Sequence, residues 1–93
     1  MFVYVIRWEM RVNGDVSCGN FELCYSDEKA AEKAMLADMK NVEAAWVFEH
    51  VVGVTSKKGR KNENGCVDYC HVQRDDWDDY HQWWIDKLEM AKE

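Results

Sequence analysis

The 93-residue chain contains no proline and no long uninterrupted apolar run. The missing proline excludes linkers of the proline-rich kind. The most apolar N-terminal stretch, residues 2–6, is far shorter than the roughly 18 residues of a membrane span, and Arg7 and Glu9 follow it. It also lacks the basic region that opens a secretory signal. We therefore expect a soluble protein with a cytoplasmic location.

Catalytic signatures are missing as well. The sequence has no Walker-type phosphate loop, no GxGxxG loop and no recognisable local Ser/His/Asp or Cys/His arrangement. A histidine can serve as an acid or a base near neutral pH, but the alternation of His50 and His71 within predicted strands is more typical of structural histidines. The sequence thus predicts a protein that is not an enzyme and that has no cofactor.

The composition predicts one compact domain over residues 1–93, since 47% hydrophobic and 13% aromatic residues supply enough apolar area for a core. The charge is unevenly spread. Residues 75–93 hold seven acidic residues and two lysines, a net −5 of the total −6, together with three of the five tryptophans. An acidic balance argues against general nucleic-acid binding unless a local basic patch overrides it.

The N-terminal quarter predicts a β-hairpin. Residues 2–12 and 16–25 are rich in β-branched and aromatic side chains, and Asn13-Gly14 between them favours a type I′ turn. A two-residue loop at this position pairs residues whose numbers sum to 27. Its predicted partners on one face are Phe2 with Tyr25, Tyr4 with Leu23, Ile6 with Phe21 and Trp8 with Gly19.

The remaining pattern predicts a second half of similar design. Ser26 reads as a helix N-cap before an alanine-rich helix that ends near Asn41. Residues 43–55 and 66–74 read as strands, and Asp75 or Asp76 begins a last helix. The predicted fold class is therefore α+β: a ββαββα two-layer sandwich with a four-stranded antiparallel sheet, strand order 1-2-4-3 (a permuted ferredoxin-like order), and two helices on one face.

Four cysteines and a Cys70-His71 pair raise the question of a metal site. Strand geometry argues against zinc, because Cys18 and Cys24 would lie roughly 20 Å apart and neighbouring side chains point to opposite faces. Free thiols are the favoured interpretation, and a metal site or a single disulfide remain the alternatives. A redox or metal role for Cys66, Cys70 and His71 stays open, and we predict no metal ligands.

The face of the predicted sheet opposite the helices is expected to be apolar and to support a homodimer or a partner. Its residues are Val3, Val5, Cys18, Cys24, Val47 and Val51.

On the predicted C-terminal helix, Tyr80 and Trp84 fall on the apolar arc, whereas Trp83 and Met90 fall on a flank bordered by carboxylates. An exposed tryptophan and methionine beside acids are typical of an interface anchor. The predicted partner-binding residues are Trp83, Met90, Asp76, Asp79 and Asp86.

In size, acidity and lack of catalytic signature, the chain is similar to phage-encoded inhibitors such as anti-CRISPR and anti-restriction proteins. This similarity implies a non-enzymatic inhibitor that occupies a basic nucleic-acid-handling surface of a target protein. The alternative is a small RNA- or DNA-binding module that uses the open sheet face and a basic loop of Lys57, Lys58, Arg60 and Lys61. A small enzyme or metal protein that uses the Cys and His residues is the third hypothesis.

Overall fold

A computed structural model describes residues 1–49, 53–74 and 78–90. Its elements, in chain order, are β1 (Phe2–Val12), β2 (Asp15–Tyr25), α1 (Glu28–Phe48), β3 (Val54–Lys58), β4 (Tyr69–Arg74) and β5 (Tyr80–Glu89). The strands form one antiparallel sheet in the order β2-β1-β5-β4-β3, and α1 packs on one face. The fold is α+β, but the predicted four-stranded sheet, its 1-2-4-3 order and its second helix are wrong. Among the described residues, no helix is both long and apolar enough to cross a bilayer.

The predicted hairpin turn is confirmed. Asn13 and Gly14 have φ angles of 53° and 84°, as a type I′ turn requires. From Val12 opposite Asp15 to Arg7 opposite Asn20 the register is the expected one. A β-bulge then shifts it, so that Val5 lies opposite Cys24 and Tyr4 opposite Tyr25. The shift is by two residues, which keeps each side chain on its predicted face while changing its partner.

The N-cap of helix α1 lies one residue after the predicted cap, and the helix ends well beyond the predicted end. Asp27, not Ser26, is the N-cap, and its side chain accepts a hydrogen bond from the Lys29 amide at 3.2 Å. The helix continues to Phe48, so the strand predicted over residues 43–55 is wrong for residues 43–48, whereas Val54 and Thr55 do lie in β3. The segment from residue 43 contains helix-forming Glu and Ala beside its apolar residues, and a short apolar run does not distinguish helix from strand.

The largest correction concerns residues 80–89, which form strand β5 instead of a helix. β5 lies between β1 and β4 and carries aromatic residues on both faces. A central strand with aromatic side chains on both faces lacks the simple alternation of polar and apolar residues that identifies a strand buried on one face. The spacing of the apolar residues in this segment therefore also matched the period of a helix, which led to the wrong prediction.

The core lies between α1 and one face of the sheet, which we call the helix face. Ala31, Met35 and Met39 form the buried stripe of the helix. They pack against buried strand residues, which are Ile6, Cys70, Val72 and Trp83. The opposite face of the sheet is therefore not covered by any helix in the described part of the chain.

Candidate binding surface on the open sheet face

The open face, defined as the face of the sheet opposite α1, presents polar and aromatic side chains in three cross-strand rows. Side chains alternate along each strand, so residues paired across the sheet share a face. The central row contains Glu9 and Gln82, and the other two rows lie on either side of it. The rows are Asn20, Arg7, Trp84 and Tyr69; Cys18, Glu9, Gln82, His71 and Lys57; and Val16, Arg11, Tyr80, Gln73 and Thr55.

Hydrogen bonds hold the middle of this face in a defined arrangement. The Tyr80 hydroxyl donates to Glu9 Oε1 at 2.5 Å, and Gln82 Nε2 donates to the same oxygen at 3.2 Å. The Tyr69 hydroxyl donates to Gln82 Oε1 at 2.9 Å. The hydrogen bond to Glu9 raises the pKa of Tyr80, which keeps its hydroxyl protonated. The network fixes both tyrosine rings, so less side-chain entropy would be lost when a ligand binds.

Arg7 links two further residues of the face. Its guanidinium forms an ion pair with Asp86 and donates from Nη1 to Asn20 Oδ1 at 3.0 Å. Asp86, which the sequence interpretation assigned to an acidic partner-binding rim, is thus paired within the chain. Both side chains remain about one-third exposed, so the pair contributes little to stability but neutralises the local carboxylate.

The predicted basic loop borders the aromatic residues of the open face. We call residues 57–61 the basic segment; its cations are Lys57, Lys58, Arg60 and Lys61. Lys57 and Lys58 lie in β3, so their prediction as loop residues is wrong. The Gly59 amide donates to the Tyr69 carbonyl at 2.8 Å, and Lys57 lies opposite His71. Burial lowers the pKa of His71, so its ring is neutral at pH 7 and the positive charge here comes from the basic segment.

Two of the predicted partner-binding residues are buried. Trp83 is 0% exposed in the core, and Asp79 is 3% exposed. Asp79 accepts a hydrogen bond from the Asn13 amide at 3.0 Å and lies 3.4 Å from Arg74 Nη1. The predicted surface placement of both residues is wrong. Trp83 lies in β5 and faces the core, and Asp79, which directly precedes β5, is buried through its contacts with Asn13 and Arg74. Met90 is exposed as expected, and Asp76 lies outside the described residues.

The predicted apolar dimer face does not form as expected. Val47 lies in α1, not in a strand, and Val5 is already buried within the monomer. Cys18 and Cys24 are exposed on β2, Val3 is half-buried, and Val51 lies outside the described residues. Polar side chains such as Gln82 and Asp86 occupy the middle of the face, because β5 pairs with β1, which the predicted order had placed at an edge of the sheet.

The cysteine and histidine residues do not converge. Cys66 and Cys70 are buried, whereas His71 lies on the open face with its ring 6.2 Å from that of Tyr80. Burial raises the pKa of Cys66, and it raises that of Cys70 to about 12. In the described part of the chain, no three His, Cys, Asp or Glu side chains are close enough together to hold a metal ion.

The sequence interpretation missed Tyr80 and Trp84 as surface residues because it assigned both to the core of a helix. The sequence did contain one relevant signal. The residues at every second position are Tyr80, Gln82, Trp84 and Asp86, and such residues share one face of a strand. Comparison of the chain with protein-family models, curated proteins and solved structures gave no match. The functional argument therefore depends on the geometry of these surfaces.

Proposed function

We propose that this protein is a small non-enzymatic module that binds single-stranded nucleic acid on the open sheet face. The observation that carries the proposal is the position of the basic segment, which the Gly59–Tyr69 hydrogen bond holds beside the aromatic rows. Aromatic rings provide stacking surfaces for unpaired bases, and neighbouring cations contact the phosphates. This combination corresponds to the alternative predicted from the sequence, with the aromatic residues supplied by β4 and β5.

Local charge makes the surface compatible with phosphate although the chain carries −6 in total. Two carboxylates near the aromatic residues of the face, Glu9 and Asp86, are held by hydrogen bonds or an ion pair. Arg11 lies opposite Tyr80 at one side of the face, and the basic segment lies at the β3 edge. Phosphate contacts respond to this local arrangement more than to the net charge, so we expect binding that weakens as salt is raised.

The rings are accessible to different degrees. Tyr69 is 37% exposed, and Tyr80 and Trp84 are half-buried. Tyr69 and Trp84 lie directly opposite each other on β4 and β5, which places two rings in adjacent strand positions. We therefore assign the principal stacking role to Tyr69 and Trp84, with Arg7 next to Trp84 on β1.

Fluorescence anisotropy with labelled single-stranded RNA and DNA, and with duplexes of the same sequence, tests the proposal. Tyr69→Ala is expected to weaken single-strand binding by about 5- to 100-fold, since stacking contributes roughly 1–3 kcal/mol per base. Phe48→Ala is the matched control, because Phe48 is an 84% exposed aromatic residue at the end of α1.

A second comparison tests the charge. The triple variant Lys57→Ala, Arg60→Ala, Lys61→Ala removes three cations of the basic segment, and Lys29→Ala, Lys33→Ala, Lys40→Ala removes three exposed cations of α1. Only the first is expected to reduce affinity and to flatten the dependence of affinity on salt. Equal effects of the two triple variants, or no single-strand binding at low salt, would reject the proposal.

Binding to another protein, the leading hypothesis from the sequence, is a second candidate because exposed apolar residues gather at one end of the sheet. They are Met1, Phe2, Leu88 and Met90, between 41% and 81% exposed. The Met90 amide donates to the Met1 carbonyl at 2.8 Å, and Lys87 Nζ lies 4.1 Å from the Phe2 ring centroid. Exposed apolar side chains beside charges are typical of interface anchors.

The inhibitor hypothesis in its predicted form required an acidic helix, and this end of the sheet is the surface that supports it instead. Pull-down from a cytoplasmic extract is expected to recover a basic nucleic-acid-handling protein with the native chain and to lose it with Met90→Lys. Phe48→Lys introduces the same charge on a distant exposed apolar residue and is expected to retain capture. Retention by Met90→Lys would exclude this end of the sheet as the interface.

A further inference from the structure

A cavity of about 200 Å³ lies between α1 and the helix face of the β1–β2 hairpin. Its lining comes from four elements and is mostly apolar and aromatic. The lining residues are Trp8, Met10, Phe21, Asp38 and His81. The volume is below the roughly 300–1,000 Å³ of a site for a drug-sized molecule, so the cavity suits a small group.

Asp38 is the one carboxylate in this lining. Its Oδ2 accepts a hydrogen bond from Trp83 Nε1 at 2.8 Å. Asp38 takes part in neither of the ion pairs, Arg7–Asp86 and Arg74–Asp79, found within residues 1–49, 53–74 and 78–90. The half-buried carboxylate of Asp38 would be stabilised by a positive charge, which the surrounding side chains of the lining do not provide.

The histidine in the lining does not serve as that counter-charge. His81 stacks on Trp83 with ring centroids 3.9 Å apart and meets Trp8 edge-on at 5.9 Å. Burial lowers its pKa more than the nearby Asp38 carboxylate raises it, so the ring is neutral at pH 7. Its Nε2 is buried and has no hydrogen-bond partner in the described part of the chain.

We propose that this cavity binds an alkylated ammonium group, with the alkyl groups against Trp8 and Phe21 and the positive charge toward Asp38. Aromatic faces attract cations through the ring quadrupole, and a carboxylate adds a direct charge interaction.

The small number of hydrogen-bond acceptors in the lining favours an alkylated ammonium over a primary amine. A lysine ammonium is strongly hydrated and presents three donors. Beyond the carboxylate of Asp38 and the imidazole of His81, the lining side chains offer it no acceptor. A quaternary ammonium has no N–H donors that need acceptors, so it loses less hydration free energy than a primary ammonium when it leaves water. Such a group occurs in small molecules of the choline type and in trimethylated lysine side chains.

Titration of the full chain with choline, followed by tryptophan fluorescence and calorimetry, tests the site. 3,3-Dimethyl-1-butanol has the same shape as choline without the charge and is expected to bind at least about 10-fold more weakly, a difference of roughly 1.4 kcal/mol. A short peptide with trimethyl-lysine and the same unmethylated peptide distinguish the two sources, and tighter binding of the methylated peptide than of choline identifies a protein ligand. Equal affinity for choline and its neutral analogue would overturn the proposal.

Two variants locate the binding. Asp38→Asn keeps an oxygen acceptor for Trp83 Nε1 but removes the charge, and it is expected to weaken choline binding at least about 10-fold. Glu49→Gln removes the same charge from the exposed C-cap of α1 and is expected to have no effect. Phe21→Leu tests the aromatic wall independently and is expected to reduce binding of choline more than binding of the neutral analogue. Undiminished choline binding by both Asp38→Asn and Phe21→Leu, or no binding of choline or the methylated peptide at millimolar concentrations, would overturn the assignment.

Discussion

The indole Nε1 of Trp83 donates a hydrogen bond to Asp38 Oδ2 at 2.8 Å, joining the central strand of the sheet to the helix. Trp83 is fully buried, so its single donor has no access to water. Asp38 therefore has a structural role in addition to the ligand-binding role proposed above. The two roles separate because one depends on an oxygen acceptor and the other on a negative charge.

Replacement of Asp38 by alanine is expected to lower the free energy of unfolding by about 1–3 kcal/mol, because the Trp83 donor is left buried without a partner. Asp38→Asn is expected to cost less, since its amide oxygen still accepts the hydrogen bond. Urea unfolding of both variants, followed by tryptophan fluorescence, measures the difference. Equal destabilisation by alanine and asparagine would show that the hydrogen bond does not hold the two layers together.

Gly19 is required by the indole of Trp8. A Cβ at this position would lie 2.8 Å from Trp8 Cζ2, closer than side-chain carbons pack. Gly19→Ala is expected to displace the indole and to destabilise the fold by about 1–3 kcal/mol. Ser17→Ala, two residues away on the same exposed strand, is the control and should have little effect. The near-ultraviolet circular dichroism spectrum should change for Gly19→Ala alone, and an unchanged spectrum and stability would contradict this packing.

The hairpin could be predicted from the sequence because its signals are local. Asn13-Gly14 fixes the turn through its two positive φ angles, and the register follows from the turn as far as Arg7. The bulge beyond Arg7 has no comparable local signal. It depends on how β1 fits between β2 and a strand more than 70 residues further along the chain.

The candidate site could not be predicted correctly for the same reason. β5 gains stability from its two neighbours, β1 and β4, and not from its own helical or strand preference. Trp83 and Trp84 are adjacent in sequence, and only the strand geometry assigns one to the core and the other to the open face. The basic segment was recognised from composition alone, but its contact with Tyr69 depends on the pairing of β3 with β4.

His81 makes stability depend on pH. Its pKa is lowered in the folded chain, so the unfolded chain binds more protons as the pH falls through about 6.5. The contribution of His81 to stability is therefore present above this pH and is lost below it. His81→Phe keeps a ring against Trp83 and is expected to reduce the loss of stability between pH 7.5 and 5.5. Urea unfolding at both pH values measures this loss. His71→Gln is the comparison variant, because burial also lowers the pKa of His71. An identical pH dependence of stability in the wild type and in His81→Phe would contradict the prediction.

The four thiols are expected to react in two classes. Cys18 and Cys24 are exposed on β2, whereas Cys66 and Cys70 are buried with raised pKa values, which leaves little thiolate at neutral pH. Brief treatment with iodoacetamide should add two groups to the native protein and four in denaturant, as counted by mass spectrometry. The double variant Cys18→Ser, Cys24→Ser should add none while folded; rapid modification of either remaining cysteine would contradict their burial.

The order of strands in the sheet also determines how the chain must fold. The β1–β2 hairpin and α1 form from neighbouring residues, but β5 must enter between β1 and β4, with Phe2 opposite Glu89. Contacts between such distant positions cost loop-closure entropy before they contribute energy, which slows folding. Until residues 80–89 leave the ribosome, β1 and β4 each present an unpaired edge to other chains. The strand that completes the core therefore also sets the period during which the nascent chain is open to misassembly.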